Sequence, residues 1–436
     1  MDVQENGEKP RGNAGQRLTA LLSKEGARST QHLPSWQRSL YALALAQFLG
    51  AFAFNAASPL LPLFIQQLGV AEPSKAAFWT GVTQFATGLG AFAVGPLWGA
   101  LADRFGRRTM VLRALLGGAV MAGLVGLSPN VPVLIVLRTI YGAMTGITAA
   151  SSALAASQSP SARVAFAIGL VQMAMFLGSM AGPLPGGMVG DALGYRAPFF
   201  MAAGIAFMGF LVVLLFVRER FEPPQGKGRH IHPLRNMRVV LTMPKVVPLL
   251  GVLMIIYFGP FMVQPIMAVY MQDMVAEGAA TFAGLALSLF GLASAASSLV
   301  VGRLSGSRSL SIAILVAAFA AAALYLPQVW LRSPVAAAVL FGAVGLCQGT
   351  LLTATSTLLS AAAPREKQGM VFGVAHSVNA LGVGLAAFAA GTMTVALGVR
   401  SIFIADTALF IVLGLIVWRI LRTQQRRSAD TVGAHD

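Results

Sequence analysis

Long apolar stretches alternate with short polar segments along most of the chain, after a polar segment of about 35 residues at the start. A helix needs roughly 20 apolar residues to cross a hydrocarbon layer about 30 Å thick, and the stretches supply that length repeatedly. We therefore predict twelve membrane-spanning helices, at residues 39–66, 78–101, 109–127, 132–157, 165–189, 198–217, 246–271, 281–303, 310–327, 335–359, 369–396 and 402–420.

The composition agrees with a chain that is solvated mainly by lipid. Hydrophobic residues make up 56% and charged residues 11% of the sequence, whereas about 25% of the residues of an average soluble protein are charged. The formal charge of +16 does not indicate a nucleic-acid partner, because the basic residues are distributed as expected for a membrane protein with a fixed orientation. With both termini placed in the cytoplasm, 26 of the 31 Lys and Arg residues lie in inner segments, which is the positive-inside distribution.

The chain divides into two halves that repeat each other, separated by the long polar loop 218–245. A shift of 204 residues places Phe199 on Phe403, a shift of 206 places Pro59 on Pro265, and a shift of 203 aligns the fourth helix with the tenth. The predicted organisation is a cytoplasmic tail at 1–35, a six-helix bundle at 36–217, a cytoplasmic loop at 218–245, a six-helix bundle at 246–420 and a cytoplasmic tail at 421–436.

The segment after the second predicted helix reads GALADRFGRR. Its defining residues are Gly99, Asp103, Arg104, Gly106, Arg107 and Arg108. This segment resembles the signature between helices 2 and 3 of the major facilitator superfamily. The resemblance implies an all-α membrane protein with the major facilitator fold, in which twelve transmembrane helices form two pseudo-symmetric six-helix bundles and the substrate binds between them.

The residue types of this motif predict a gating loop. Gly106 permits a turn too tight for a side chain, and the carboxylate of Asp103 is suited to pair with the nearby arginines or with the positive end of a neighbouring helix. Because such contacts form only while the cytoplasmic side is closed, we expect them to act as a latch. The alternative is a set of basic topology residues beside a solvated Asp103. In the second half Gly306 replaces the carboxylate, so the latch is expected mainly in the first half.

A cation lies inside the fourth predicted helix, in the sequence LRTIYGAMTG. Arg138 is expensive to place in hydrocarbon, at about 2.5–3.5 kcal/mol on insertion scales, so we expect it to line a cavity or to meet an acceptor. Arg138 followed by Gly142 also resembles the superfamily pattern in this helix, and the resemblance implies a role in proton coupling. The alternative is that Arg138 extends toward the outer interface.

The sequence GSMAGPLPGG in the fifth helix resembles the signature of drug–proton antiporters and other exporters of the superfamily. Its motif residues are Gly178, Gly182, Pro183, Gly186 and Gly187. Gly178, Gly182 and Gly186 form a bare stripe that lets two helices approach closely in lipid, and Pro183 is expected to bend the helix. The resemblance implies that the partner of this stripe is a helix of the other half, where the two bundles move against each other.

Polar side chains inside the spans are few, and some are candidates for contact with the substrate. They are Asn55, Tyr141, Gln172, Gln264, Gln348, His376 and Asn379. Gln172 and His376 occupy equivalent places in the two repeats. His376 is a candidate proton carrier because an unperturbed histidine titrates near neutral pH; alternatively it hydrogen-bonds to a neighbouring helix. Asp406 is a further proton-coupling candidate, although we expect it, like Asp191 and Asp273, to lie at the membrane interface.

The sequence therefore predicts a monomeric secondary transporter in the lipid bilayer of the bacterial cytoplasmic membrane. It is expected to export small amphipathic compounds of the multidrug type in exchange for protons. An exporter dedicated to one metabolite, such as a siderophore or a sugar, stays open, as does a non-transporting membrane sensor. We expect no enzyme activity, no cofactor and no metal, since the spans contain no phosphate-binding or nucleophile motif and the single Cys and five His lack ligand spacing.

Overall fold

A computed structural model of the chain describes residues 35–144, 146–160, 163–219, 238–244, 246–301, 307–363 and 368–432. These residues form twelve helical spans, α1 to α12. Ten of the described helical segments are long and apolar enough to cross a membrane, and Val131–Met144 is a shorter apolar helix. The predicted all-α membrane fold is confirmed.

Six spans make up the first half. They are α1 (Ser35–Ala57 and Leu61–Gln67), α2 (Pro73–Phe105), α3 (Arg107–Gly126), α4 (Val131–Met144 and Ile147–Gln158), α5 (Val164–Ala181 and Pro183–Leu193) and α6 (Ala197–Phe216).

Six further spans make up the second half. They are α7 (Val247–Val263 and Met267–Gln272), α8 (Ala279–Val301), α9 (Ser307–Tyr325, extended by the 3-10 turn Leu326–Val329), α10 (Pro334–Ala362), α11 (Gln368–Leu397) and α12 (Ser401–Val432).

The first helix of each half is interrupted at corresponding places. The 3-10 turn Ser58–Leu60 divides α1, and the 3-10 turn Gln264–Ile266 divides α7. Each turn contains a proline, and proline removes a backbone donor from the helical ladder. The two interruptions differ in position by the 206 residues that relate the first helices of the repeats.

The fourth span differs from its prediction as one helix over residues 132–157. It ends at Met144 and begins again at Ile147, and Gly146 between them has φ of +115°. Only glycine adopts such a backbone without steric cost. The apolar pattern continues through Gly146, so hydropathy alone does not reveal the break.

The spans cross the bilayer alternately, which defines two faces. We call the side where α1 begins and α12 ends the terminal face, and the other side the opposite face. A hydrophobic core fills the second half and extends at the opposite face to Leu60, Leu63 and Ala77 of the first half. Separate cores fill the first half. The two halves thus share apolar packing at the opposite face.

Helices of different halves pack in two crossing pairs, α2 with α11 and α5 with α8. Both pairs pass close together because glycines lie at their contacts. A methyl group placed on Gly391 of α11 would meet the Ala77 carbonyl oxygen at 2.8 Å, and one on Gly291 of α8 would meet the Met180 side chain at 3.0 Å. Small residues allow such approach between helices in lipid.

Candidate functional site

Arg138 lies inside the first half with only 3% of its surface exposed. Its guanidinium Nη2 donates a hydrogen bond to Oε1 of Gln84 on α2, and Gln84 in turn donates to the Ser58 hydroxyl at 3.3 Å. The guanidinium carbon also lies 5.9 Å from the ring centre of Phe54 and 5.4 Å from that of Tyr141. The cation therefore has an acceptor and two aromatic faces within the protein, and this placement differs from extension toward the interface.

A small cavity adjoins this cation. It is lined by Arg138 and Tyr141 of α4 together with apolar residues of α1, α3 and α6, which are Ala53, Phe54, Ala57, Ala122, Val125, Phe199 and Ala202. The Arg138 Nε atom is buried and has no hydrogen-bond partner among the described residues. One donor of the cation is therefore free to bind a further acceptor.

The gating-loop residues that the structure describes are held within the first half. Gly106 has φ of +90° at the turn between α2 and α3. The Glu219 carboxylate accepts from the backbone N–H groups of Arg107 at 3.0 Å and of Arg108 at 2.8 Å, which places an anion at the positive N-terminus of α3. The Arg107 side chain donates to the Ala153 carbonyl at 2.9 Å.

These contacts fasten α3 to α4 and α6. The side chains of Asp103 and Arg104 lie outside the described part of the chain, as do residues 302–306 of the second-half counterpart. The pairing of Asp103 with the nearby arginines or with the positive end of a neighbouring helix therefore stays a prediction.

The glycine stripe of α5 faces a helix of its own half, so the expected partner in the other half was wrong. A methyl group on Gly182 would meet the Phe52 carbonyl oxygen of α1 at 2.6 Å, and methyl groups on Gly178 and Gly186 would overlap the carbonyl oxygens of Phe48 and Ala56. Positions four apart share one helical face, and that face of α5 packs on α1 with its backbone in contact.

The neighbouring face of α5 meets the other half. A methyl group on Gly187 would overlap the Ala280 carbonyl oxygen at the start of α8, and one on Gly284 of α8 would overlap the Pro183 carbonyl oxygen. The hydrogen bonds Gly182 N–H to Gly178 carbonyl and Gly186 N–H to Gly182 carbonyl, each 3.1 Å, carry the helix across Pro183. The glycines and Pro183 thus interrupt the backbone hydrogen bonds of α5 locally, and the helical span continues beyond them.

Polar contacts join the halves at the opposite face. Gln66 of α1 and Gln272 of α7 exchange two side-chain hydrogen bonds, at 2.8 and 3.1 Å. The Asp191 carboxylate at the end of α5 accepts from the backbone N–H and the hydroxyl of Thr281, at 2.7 and 2.6 Å. Thr281 is in the first turn of α8, whose N–H groups have no intrahelical partner. We call these two contacts the opposite-face latch.

The remaining cavity candidates differ in whether their polar side-chain atoms have hydrogen-bond partners in the protein. Asn55 donates to the Ala51 carbonyl at 2.9 Å and to the Ser179 hydroxyl at 3.2 Å, and Gln348 donates to the Ile256 carbonyl at 2.9 Å. Oε1 of Gln172, Oε1 of Gln348 and Oδ1 of Asn379 are buried without a hydrogen-bond partner among the described residues. These three atoms are acceptors that a bound molecule can use.

Two further candidates have simpler positions. Gln264 begins the 3-10 turn of α7 and is partly buried. His376 lies on α11, but its side chain is outside the described part of the chain, so its proposed roles stay predictions.

The three acidic residues at the outer helix ends do not share one environment. Asp191 and Asp273 are exposed, as expected for interfacial residues, and Asp273 lies 3.7 Å from the Arg400 guanidinium. Asp406 has no exposed surface, so the expectation of an interfacial position was wrong for it. Phe403, one turn nearer to that interface, and Phe410, one turn deeper on the same face of α12, are also fully buried.

Sequence reasoning assigned no contact to three residues that complete these interactions. Gln84 supplies the acceptor for Arg138, Glu219 supplies the anion for α3, and Gln66 supplies half of the amide pair. The contact of Gln84 could have been predicted, because a polar residue in a neighbouring span is a suitable hydrogen-bond partner for a buried cation.

Comparison with known proteins gives one consistent result. The family model described as Major Facilitator Superfamily matches residues 43–341 and 249–436. Multidrug resistance protein MdtG of Enterobacter lignolyticus is 33% identical over 406 residues, covering 92% of this chain and 96% of its own length. Multidrug resistance protein MdtG of Dickeya zeae is 31% identical over 398 residues, covering 90% of this chain and 96% of its own length.

Solved structures agree at the level of the fold. A bacterial homolog of the human lysosomal transporter Spinster, in an inward-facing and occupied conformation, matches with a TM-score of 0.71 and 16% identity, over 88% of this chain and 96% of its own. The human organic anion transporter MFSD10 matches with a TM-score of 0.62 and 20% identity, over 88% of this chain and 100% of its own.

Proposed function

The chain belongs to the Major Facilitator Superfamily, and from that premise we propose that it exports small amphipathic compounds of several kinds in exchange for protons. The membrane is that of a bacterial cell, with both termini in the cytoplasm. The relatives named multidrug resistance protein, which align over nine-tenths of the chain, support this role over export of a single metabolite and over a sensor without transport.

The main observation that supports a transport cycle is the kind of contact between the two bundles. The opposite-face latch consists of side-chain hydrogen bonds between partly exposed residues, and the helix contacts beside it are made through glycine and backbone. Apart from the apolar packing at Leu60, Leu63 and Ala77, these contacts do not interlock large side chains, so the bundles can separate at this face while most of each core keeps its packing. Alternating access by rigid movement of two bundles about a fixed site is the mechanism that such repeats support.

The latch also indicates which side of the protein is open to substrate. In an alternating-access cycle, closure of the opposite face goes together with a substrate chamber that opens at the terminal face. The positive-inside distribution of Lys and Arg places that face in the cytoplasm. The conformation is then the one that collects substrate from inside the cell.

Within the chamber we assign substrate contact to Gln172 of α5, Gln348 of α10 and Asn379 of α11, because each holds a buried acceptor without a partner among the described residues. Tyr141, Gln264 and Asn55 contribute polar surface on the neighbouring helices. Arg138 is assigned to coupling, since it is the buried cation beside a cavity and has a free donor.

A comparison of bacterial strains tests this proposal. The gene is deleted and, separately, overexpressed, and resistance to a panel of unrelated amphipathic compounds is measured for both strains. We expect resistance to several compounds to fall on deletion and to rise on overexpression, and Arg138→Gln to give no rise although it reaches the membrane. Unchanged resistance to every compound, together with loss of one secreted metabolite on deletion, would replace the multidrug role with a dedicated exporter.

A further inference from the structure

A second buried ionisable group lies inside the second half, where α12 packs on α7 and α9. It is Asp406, which is fully buried, and we call its surroundings the Asp406 pocket. Neither of its carboxyl oxygens has a hydrogen-bond partner among the described residues. Such an arrangement is unusual because buried polar groups are normally hydrogen-bonded, so this carboxyl group calls for an explanation beyond packing.

The walls of the pocket are well defined. Phe410, one turn after Asp406, stacks on the Tyr325 ring of α9 with centroids 5.6 Å apart. A methyl group on Gly259 of α7 would meet the Phe410 ring at 2.6 Å and Oδ1 of Asp406 at 3.4 Å. Glycine at this position therefore leaves the room that the carboxyl group occupies, and two aromatic rings close the pocket on the side of α9.

Groups that titrate face Asp406 from the helices packed on α12, and none of those described is a cation. The Tyr325 hydroxyl of α9 is buried without a partner among the described residues and lies within electrostatic range of Asp406 and of Cys347 on α10. Tyr270 of α7 donates its hydroxyl to the Gln328 carbonyl at 2.6 Å. On α11 no residue between 377 and 397 is titratable.

The pocket corresponds to the Arg138 cavity of the first half. At a shift of 204 Asp406 aligns with Ala202, and at a shift of 206 Gly259 aligns with Ala53. Both alanines line the cavity beside Arg138. The same place in the two repeats therefore holds an ionisable group of opposite type, a guanidinium from the fourth helix in one half and a carboxyl group from the last helix in the other.

An ionised carboxylate without a partner is far more costly to bury than the neutral acid. In the conformation with the opposite face closed, the surroundings of Asp406 therefore accommodate the protonated form. The pocket is also connected to the opposite-face latch, because α7 carries both Gly259 against Asp406 and Gln272 in the latch. Opening of the opposite face moves a wall of the pocket, and Asp406 lies in the second turn of α12 from that face.

We propose that Asp406 is the proton-binding group of the transport cycle. It carries a proton while the opposite face is closed and takes it up from the opposite side when that face opens. On release the O–H bond breaks, the electron pair stays on the carboxylate and the proton passes to water on the terminal-face side, while the Tyr325 hydroxyl donates to the carboxylate that remains. This proposal rests on the proposed proton-coupled export and identifies its carrier.

The direct test is infrared spectroscopy of the purified full-length protein in lipid, recorded across a range of pH. We expect a carbonyl stretching band of a protonated carboxyl group at neutral pH that is present in the unaltered protein and in Asp273→Asn, and missing in Asp406→Asn. Asp273 is a matched control because it is an exposed aspartate at the same face. A band that persists in Asp406→Asn, or that is missing from the unaltered protein, overturns the assignment.

The functional test uses ethidium as the probe in proteoliposomes with an imposed pH gradient. We expect Asp406→Asn to lose uptake driven by the gradient at least tenfold while equilibrating ethidium downhill, Asp406→Glu to recover part of the driven uptake, and Tyr325→Phe to shift its pH profile. If Asp406→Asn does not fold, Asp406→Glu and Tyr325→Phe decide the question. The assignment is then rejected if both variants keep the driven uptake and the pH profile of the unaltered protein.

The two tests separate this inference from the proposed function. Driven uptake that survives in Asp406→Asn but is lost in His376→Gln rejects Asp406 as the carrier and leaves proton-coupled export standing. If the unaltered protein moves neither ethidium nor any compound of the resistance panel, export itself is refuted, and the infrared band still decides whether Asp406 holds a proton.

Discussion

The paired amides of Gln66 and Gln272 hold α1 to α7 at the opposite face, and their removal is expected to open that face. The two hydrogen bonds are 2.8 and 3.1 Å long, and each neutral hydrogen bond contributes about 0.5–1.5 kcal/mol net. Because both side chains are free to bind water once the face opens, the pair favours the closed conformation by about 1–3 kcal/mol in total. Such an energy changes the ratio of the two conformations by about 5- to 150-fold.

Pulsed electron paramagnetic resonance measures this ratio as the populations of short and long distances between two spin labels. Cys347, the single native cysteine, is replaced by alanine, and labels are attached at Leu193→Cys and Leu397→Cys. These positions end α5 and α11, differ by the 204-residue shift, and are 75% and 71% exposed. We expect Gln66→Ala, Gln272→Ala and the double variant each to raise the long-distance population.

A double-mutant cycle isolates the pair itself. The coupling energy between the two substitutions should reach about 1–3 kcal/mol, well above the roughly 0.3–0.5 kcal/mol within which independent sites add. The control is Gln67→Ala, since Gln67 is the exposed neighbour of Gln66 and should leave the distances unchanged. Additive single effects, or an equal response to Gln67→Ala, would refute the role assigned to the amide pair.

Four further substitutions test other contacts. Gly182→Leu should reduce the yield of folded protein because the side chain forces α5 away from α1. Gly187→Leu should fold but lose transport because the side chain forces α5 away from α8. Size-exclusion chromatography and efflux measurements distinguish the two variants, and equal behaviour would contradict the packing. Glu219→Gln should lower the melting temperature by a few degrees, since an anion at a helix N-terminus contributes about 0.3–1 kcal/mol, and no change would show that the charge contributes nothing. Gln84→Leu should destabilise the protein by about 3–5 kcal/mol, as removal of one partner from a buried charge does, and a melting temperature like that of the unaltered protein would show that Arg138 has another acceptor.

Local physical rules predicted much of this molecule. Hydropathy gave the spans and the all-α membrane fold. The cost of a cation in hydrocarbon predicted that Arg138 lines a cavity or meets an acceptor, and the structure provides Gln84. The steric freedom of glycine predicted the turn at Gly106, where φ is +90°. Each of these depends on the chain within a few residues or on the contrast between lipid and water.

What failed depended on contacts between distant residues. The stripe at Gly178, Gly182 and Gly186 shows that a helix approaches closely, yet nothing in the spacing says whether that helix is α1 or α8, because the two faces of α5 lie only a fraction of a turn apart. The burial of Asp406 depends on α7, whose Gly259 packs beside the carboxyl group from about 150 residues away along the chain. The place of Asp406 near the end of an apolar run indicates how deep it lies in the membrane. It does not indicate whether side chains of other helices bury it.

The central claim is that two bundles open alternately on the two sides of the bilayer, and one experiment addresses it most directly. Two label pairs are measured in lipid, Leu193→Cys with Leu397→Cys at the opposite face and Thr109→Cys with Ser309→Cys at the terminal face, before and after a change of pH and addition of ethidium. We predict that the opposite-face distance lengthens as the terminal-face distance shortens. Distances that stay fixed at both faces, or that lengthen together, would contradict alternating access.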